Sequence, residues 1–169
     1  MARELDSVDR GVLYMLQVDA RNTTSQEIAD KLGVSASTVR NRIDRLEEDG
    51  IVTGYHVELD YERANLPFRV VFVITADPSE REDVVDSLMD VRGVVDVREL
   101  LTARRNVQAE VVGRTSDDVV RVTDAIHDLG VEVESSEIVR QRRTQPFNHF
   151  YFSKDADDDD RLDPENLGE

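Results

Sequence analysis

The sequence predicts an α+β chain in two folded parts, a small helical head followed by an alternating strand-and-helix domain. Three observations carry this prediction. Residues 1–60 show helical periodicity three times and then a short strand-turn-strand pattern. Residues 67–145 run in the order strand, helix, strand, strand, helix, strand, the split βαβ or ferredoxin-like arrangement. Between them, Tyr61 to Pro67 breaks both periodicities, so 61–66 is expected to be a linker.

In the head, Leu5, Val8, Val12, Met15 and Leu16 recur at helical spacing and define a first helix. A second helix opens on Thr24 and Glu27, a capping-box pair in which each side chain accepts from an otherwise unpaired backbone amide. It buries Ile28 and Leu32 and stops at Gly33, which suits a left-handed C-cap. Ser35 then caps a third helix whose Val39, Ile43 and Leu46 form one apolar stripe, and Gly50 ends it. The run Ile51-Val52-Thr53-Gly54-Tyr55-His56-Val57 is expected to pair as a small hairpin wing.

Two short helices joined by a tight glycine-containing turn, the second capped by serine, make a helix-turn-helix. In that motif the second helix enters the major groove of double-stranded DNA and offers its N-terminal residues to base edges. Opposite the Val39/Ile43/Leu46 stripe stand Ser37, Thr38, Asn41 and Arg45, with Arg40 and Arg42 on the flanks. Hydroxyls and an amide suit base reading, while guanidiniums suit phosphates. The DNA-binding set is therefore Ser35, Ser37, Thr38, Arg40, Asn41, Arg42 and Arg45. The bland alternative is a serine that only caps and arginines that pair with acids, as Arg40 would with Asp44.

Leu5-Asp6, Asp9, Leu13 to Leu16, Asp19-Ala20-Arg21, Glu27-Ile28-Ala29 and the run from Val34-Ser35 through Thr38-Val39-Arg40, Arg42-Ile43, Leu46-Glu47 and Gly50-Ile51-Val52 resemble the Lrp/AsnC family of transcriptional regulators. The resemblance covers roughly residues 4–143. It implies a winged helix-turn-helix at 1–60, a ferredoxin-like dimerisation and effector domain at 67–145, homodimers that can assemble into octamers, and an amino-acid effector.

The residues of the second domain are consistent with this. Val70 to Thr75, Val94 to Leu101, Val107 to Val112 and a last strand ending at Val139 are expected to form the sheet. Helices carrying Val84, Val85 and Leu88, and Val119, Val122, Ile126 and Leu129, would cover one of its faces, the second helix being capped by Ser116. The other face would then expose apolar side chains from Val70 to Ile74, which a two-fold partner would bury. In the family, a glycine and an aspartate three residues later, in the turn between the second and third strands, shape the effector pocket. Here those places hold Ala103 and Asn106, so Thr102, Ala103, Arg104, Arg105 and Asn106 form the candidate effector turn. Arg104 and Arg105 also suit an anionic small molecule, or simply a basic turn or an intersubunit ion pair.

After the last strand, 146–153 gathers Phe147, Phe150, Tyr151 and Phe152 around Asn148 and His149, an arm that either packs on the sheet or a neighbouring subunit or covers an effector pocket. From 154 to 169 the chain is acidic and nearly without apolar residues, and a disordered tail is expected.

The composition runs against a nucleic-acid partner at first sight: 37 acidic residues against 21 Lys and Arg leave a formal charge of -16, whereas DNA-binding domains are usually basic. But the acids are spread along the whole chain, and Lys31 and Lys154 are its only lysines. This resembles the composition of extreme halophiles, whose acidic surfaces keep proteins soluble in molar salt; an acidic mesophilic protein is the alternative. Without cysteine the chain has no disulfide, thiolate metal site or thiol nucleophile. It shows no signal segment and no apolar run long enough for a membrane, so a soluble cytoplasmic protein without a cofactor is expected. His56, His127 and His149 show no metal spacing. A second class of function remains open, a siroheme-decarboxylase-like enzyme of the same superfamily, which would gather histidine and arginine around a tetrapyrrole.

Overall fold

The computed structural model describes residues 4–150; the acidic tail, Tyr151 and Phe152 lie outside them. The described chain divides into two compact units, one formed by residues 4–57 together with 143–150, the other by Glu58–Arg142.

The head holds three helices, α1 (Ser7–Asp19), α2 (Ser25–Leu32) and α3 (Ala36–Glu48). Each begins on a side-chain cap. Asp6 and Asp9 make a reciprocal capping box for α1, Thr24 and Glu27 make one for α2, and the Ser35 hydroxyl accepts the Thr38 amide of α3 at 3.0 Å. Gly33 ends α2 in the left-handed region (φ 71°), and the next residues start α3, so one glycine sets the tight turn of the motif. Val12, Leu13, Met15, Ile28, Ala29, Val39 and Leu46 form the buried cluster, with Ile43 packed at its edge.

The expected wing does not pair. Ile51 and Val52 both donate their amides to the carbonyl of Leu46, at 2.9 and 3.0 Å, so they close α3 and are not available to a ladder. Residues 53–60 follow without strand pairing. An isolated two-stranded hairpin is marginal in water, and this one has no third strand to lean on.

The second unit follows the expected order: β1 (Phe68–Thr75), α4 (Arg81–Asp90), β2 (Val94–Glu99), β3 (Val107–Gly113), α5 (Ser116–Asp128) and β4 (Glu132–Ile138). The strands lie antiparallel in the order β2-β3-β1-β4. Alternation along β1 sends Val70, Phe72 and Ile74 to the helix side, where they meet Val107, Ala109 and Val111 of β3 and Val84, Leu88, Val122 and Ile126 of the helices. Thr115, not Ser116, caps α5. Its neighbour three residues on decides this: Asp118 accepts the Arg114 and Thr115 amides, both at 2.9 Å, so the capping box closes one residue earlier than expected.

The other face of the sheet is less apolar than its sequence suggests. Val71, Val73 and Val112 are only partly buried there. Among them lies an ion pair between Arg69 and the buried Glu110, and Glu110 holds the Arg69 guanidinium even further above its ordinary range.

Candidate nucleic-acid interface

The outward surface of α3 is built by what its inward surface buries. Val39 and Leu46 are fully buried, and the helical period then turns Ser37, Arg40, Asn41 and Arg45 to solvent. At its N-terminus three hydroxyls meet: Ser35 Oγ lies 2.8 Å from both Ser37 Oγ and Thr38 Oγ1. This cluster sits where the helix dipole is positive and first-turn amides point outward, which favours an approaching phosphate. Thr38 is half-buried, and its hydroxyl is engaged with the cap. Among the described residues nothing forms an ion pair or side-chain hydrogen bond with Arg40, Asn41 or Arg45; the expected alternative of an Arg40–Asp44 pair is not formed.

Arg42 behaves differently from its neighbours. Its Nη1 reaches Asp9 Oδ1 at 3.0 Å and Asp6 Oδ2 at 2.8 Å, and Asp9 is only 1% exposed. The side chain expected on the phosphate flank therefore points back into the head and ties α3 to the start of α1. The i,i+2 step from Arg40 to Arg42 turns the second side chain by about 200° around the helix, away from the first. This pairing was not expected from the sequence; the signal that could have found it is the spacing of Asp6 and Asp9, which fits a capping box. At the far end of α3, Tyr55 donates to Glu47 Oε1 at 2.8 Å. Burial of its hydroxyl, with that carboxylate beside it, pushes the Tyr55 phenol up to about 12.

The turn between β2 and β3 is the second candidate site, and most of its polar groups are spent on its own fold. Asn106 is fully buried: its Oδ1 accepts the Ala76 amide at 2.9 Å and its Nδ2 donates to the Ala76 carbonyl at 2.8 Å. Both hydrogen-bonding groups of Ala76 thus depend on one side chain. Thr102 Oγ1 donates to the carbonyl of Arg104 at 2.8 Å, and the Arg105 amide donates to Thr75 Oγ1 at 2.7 Å. Arg104 pairs within the chain, with Glu134 at 2.7 Å and Glu132 at 3.1 Å. Hydrogen bonds from Thr75 and Arg104 hold the Glu134 carboxyl below its usual range. The left-handed backbone position in this turn is Arg105 (φ 54°), not Ala103. Ala103 and Arg105 keep exposed side chains. Among the described residues no group of three His, Asp or Glu is placed to hold a metal ion, and no helix is long and apolar enough to cross a membrane.

A winged helix-turn-helix DNA-binding family matches residues 5–53, which span all three helices of the head. An uncharacterized HTH-type transcriptional regulator of Pyrococcus abyssi is 33% identical over 130 residues, 72% of this chain and 86% of the relative. The HTH-type transcriptional regulator LrpA of Mycobacterium tuberculosis is 30% identical over 154 residues, 89% of this chain and 95% of its own length. The crystal structure of that LrpA aligns with a TM-score of 0.70 at 26% identity, covering 84% of this chain and 100% of the other. A transcriptional regulator of Neisseria meningitidis, solved as a complex with L-Met, shares the fold at a TM-score of 0.69 and 21% identity, covering 85% and 95% of the two chains.

Proposed function

We propose that this chain, which belongs to the Lrp/AsnC family of helix-turn-helix transcriptional regulators, reads double-stranded DNA through the N-terminal half of α3 as a homodimer. The observation that carries this reading is the row Ser37, Arg40, Asn41 and Arg45, exposed on one helix face and left unpaired by the rest of the described chain except for Ser37's contact with the cap. Asn41 offers a donor and an acceptor on one amide, the pattern that matches adenine in the major groove. Arg40 and Arg45 supply charge to phosphates. Ser35 and Thr38 hold the helix start that faces the backbone, and Arg42 holds the helix itself. A dimer presents two such faces to a pseudo-palindromic site.

The acidic composition belongs to the same proposal. Over residues 36–49, three arginines stand against Asp44, Glu47, Glu48 and Asp49, and one of those arginines is committed to Asp6 and Asp9. Each head thus offers two free arginines from α3, so this helix contributes only about -2 per head to the log–log salt slope of counterion release. Such binding loses less affinity per rise in salt than that of a basic domain making about six to ten phosphate contacts.

A small-molecule effector completes the reading. The Neisseria relative holds L-Met, and the turn at Thr102–Asn106 leaves Ala103 and Arg105 open to contact, with Asn106 shaping the turn from beneath. An anionic ligand would meet Arg105 first, since Arg104 is held by Glu132 and Glu134.

The test is a titration of the full chain against genomic fragments, its own promoter included, at a series of potassium chloride concentrations. Saturable binding to a discrete site with a shallow salt slope is expected, weakened by Asn41→Ala. A steep loss of binding well below molar salt would defeat the salt argument, and the absence of site-specific binding at every salt would defeat the reading of α3. Thermal shifts with a panel of amino acids and anions then identify the effector.

A further inference from the structure

The aromatic arm is used neither by the face of α3 nor by the β2–β3 turn. Its expected seat was the sheet, a neighbouring subunit or an effector pocket, yet its described part belongs to the head unit. The Phe150 amide donates to the Phe147 carbonyl at 3.0 Å and closes a single turn of 3-10 helix, Asn148–Phe150. The rings of Phe147 and Phe150 meet edge to face with centroids 4.9 Å apart, and His149 lies 5.1 Å from Phe147. This wedge is anchored at two points. Phe150 packs against the cluster that includes Val12, Val39 and Leu46, and the Phe147 amide donates to Gln17 Oε1 of α1 at 3.1 Å. Gln17 is itself oriented, its Nε2 donating to the Leu13 carbonyl at 3.2 Å.

The size of the head explains why this matters. Among the described residues its core holds seven buried apolar side chains, and a unit of some fifty residues buries too small a share of its surface to be comfortably stable alone. One added aromatic ring is a large fraction of such a core. It also touches the cluster that holds Val39 and Leu46, the residues that fix which face of α3 looks outward.

We propose that the surface of α1 around Gln17 is a docking site for this chain's own arm, with Phe147 and Phe150 acting as positioning residues for DNA reading. Eight residues, 139–146, lie between the end of β4 and Phe147, so the arm is tethered by the same chain that forms the sheet. This goes beyond the assignment of α3, since seating of the arm is measurable without DNA.

The experiment compares the full chain with Phe150→Ala and Phe150→Leu by hydrogen exchange and by affinity for the specific site. In Phe150→Ala, the amides of α1 should exchange about tenfold faster while those of β3 stay unchanged. Site affinity should fall about fivefold, and Phe150→Leu should recover most of both. Unchanged α1 exchange overturns the docking, and faster α1 exchange with unaltered affinity overturns the positioning role. If Phe150→Ala leaves the head unfolded, Gln17→Ala supplies the milder perturbation. It removes the acceptor for the Phe147 amide, along with the bond from Gln17 to the Leu13 carbonyl, and should move both readouts the same way by about twofold; no movement in either overturns the proposal.

Discussion

The face of α3 and the β2–β3 turn look alike in the sequence, each a short polar stretch with arginines, but the fold treats them in opposite ways. On α3, Arg40, Asn41 and Arg45 find no side-chain partner among the described residues. In the turn, Thr102, Arg104 and Asn106 are all engaged by the chain itself, and Asn106 is buried. A surface that recognises a ligand must keep its donors and acceptors available, whereas a turn that ends two strands must consume them. The lesson is that the number of polar residues in a stretch says little; what distinguishes a recognition surface is whether the protein has left them unpaired.

That contrast breaks if substitutions in the two places have the same kind of effect. The largest change is expected for Asn106→Ala, which strands the amide and carbonyl of Ala76 in a buried site. Unfolding measured by denaturant should show a loss of about 3 kcal/mol, while the DNA affinity of the folded protein stays unchanged. Arg42→Ala belongs to the same class although it lies on α3, since it removes the guanidinium that pairs with Asp6 and the buried Asp9; about 2 kcal/mol of stability should go from the head. Asn41→Ala is expected to show the reverse pattern. The melting temperature should hold while affinity for the specific site drops about thirtyfold, equivalent to about 2 kcal/mol, with non-specific binding barely altered. Arg40→Ala should weaken binding to all sequences alike and make the log–log salt slope shallower by about 1.

The smallest effect is in acid, and it sharpens the difference between caps and reading residues. Hydrogen bonds from the Thr115 amide, with Arg121 close by, hold the Asp118 carboxyl down at about 2. A carboxylate depressed in the folded state stabilises it above its ordinary pKa near 3.8, and that contribution is lost as pH falls toward 2. Asp118→Asn should therefore flatten the stability profile between about pH 4 and pH 2 and leave it unaltered in shape at neutral pH. Circular dichroism melts across that range test this.

Much of the molecule was readable from the chain because its signals are local. The Thr24–Glu27 capping box, the cap at Ser35, the left-handed Gly33 and the Val39/Ile43/Leu46 stripe each lie within a few residues of the structure they dictate, and periodicity sufficed for the βαββαβ order. Even there, neighbours competed. Thr115 displaced Ser116 as the cap because Asp118 completes a box only with the former. Ile51 and Val52 closed a helix where a hairpin was expected, because their amides were already taken by Leu46.

What the sequence by itself determined is the family, the two-part architecture and the outward row on α3, all set by caps, turns and a 3.6-residue period acting over short distances. What only the tertiary structure decided is which polar groups remain available. Arg42 meets Asp9 across 33 residues, Asn106 meets Ala76 across 30, and Phe147 reaches Gln17 across 130. No local pattern announces such partners. They exist because folding brings distant segments together and a buried donor or acceptor must then be satisfied by whatever lies beside it.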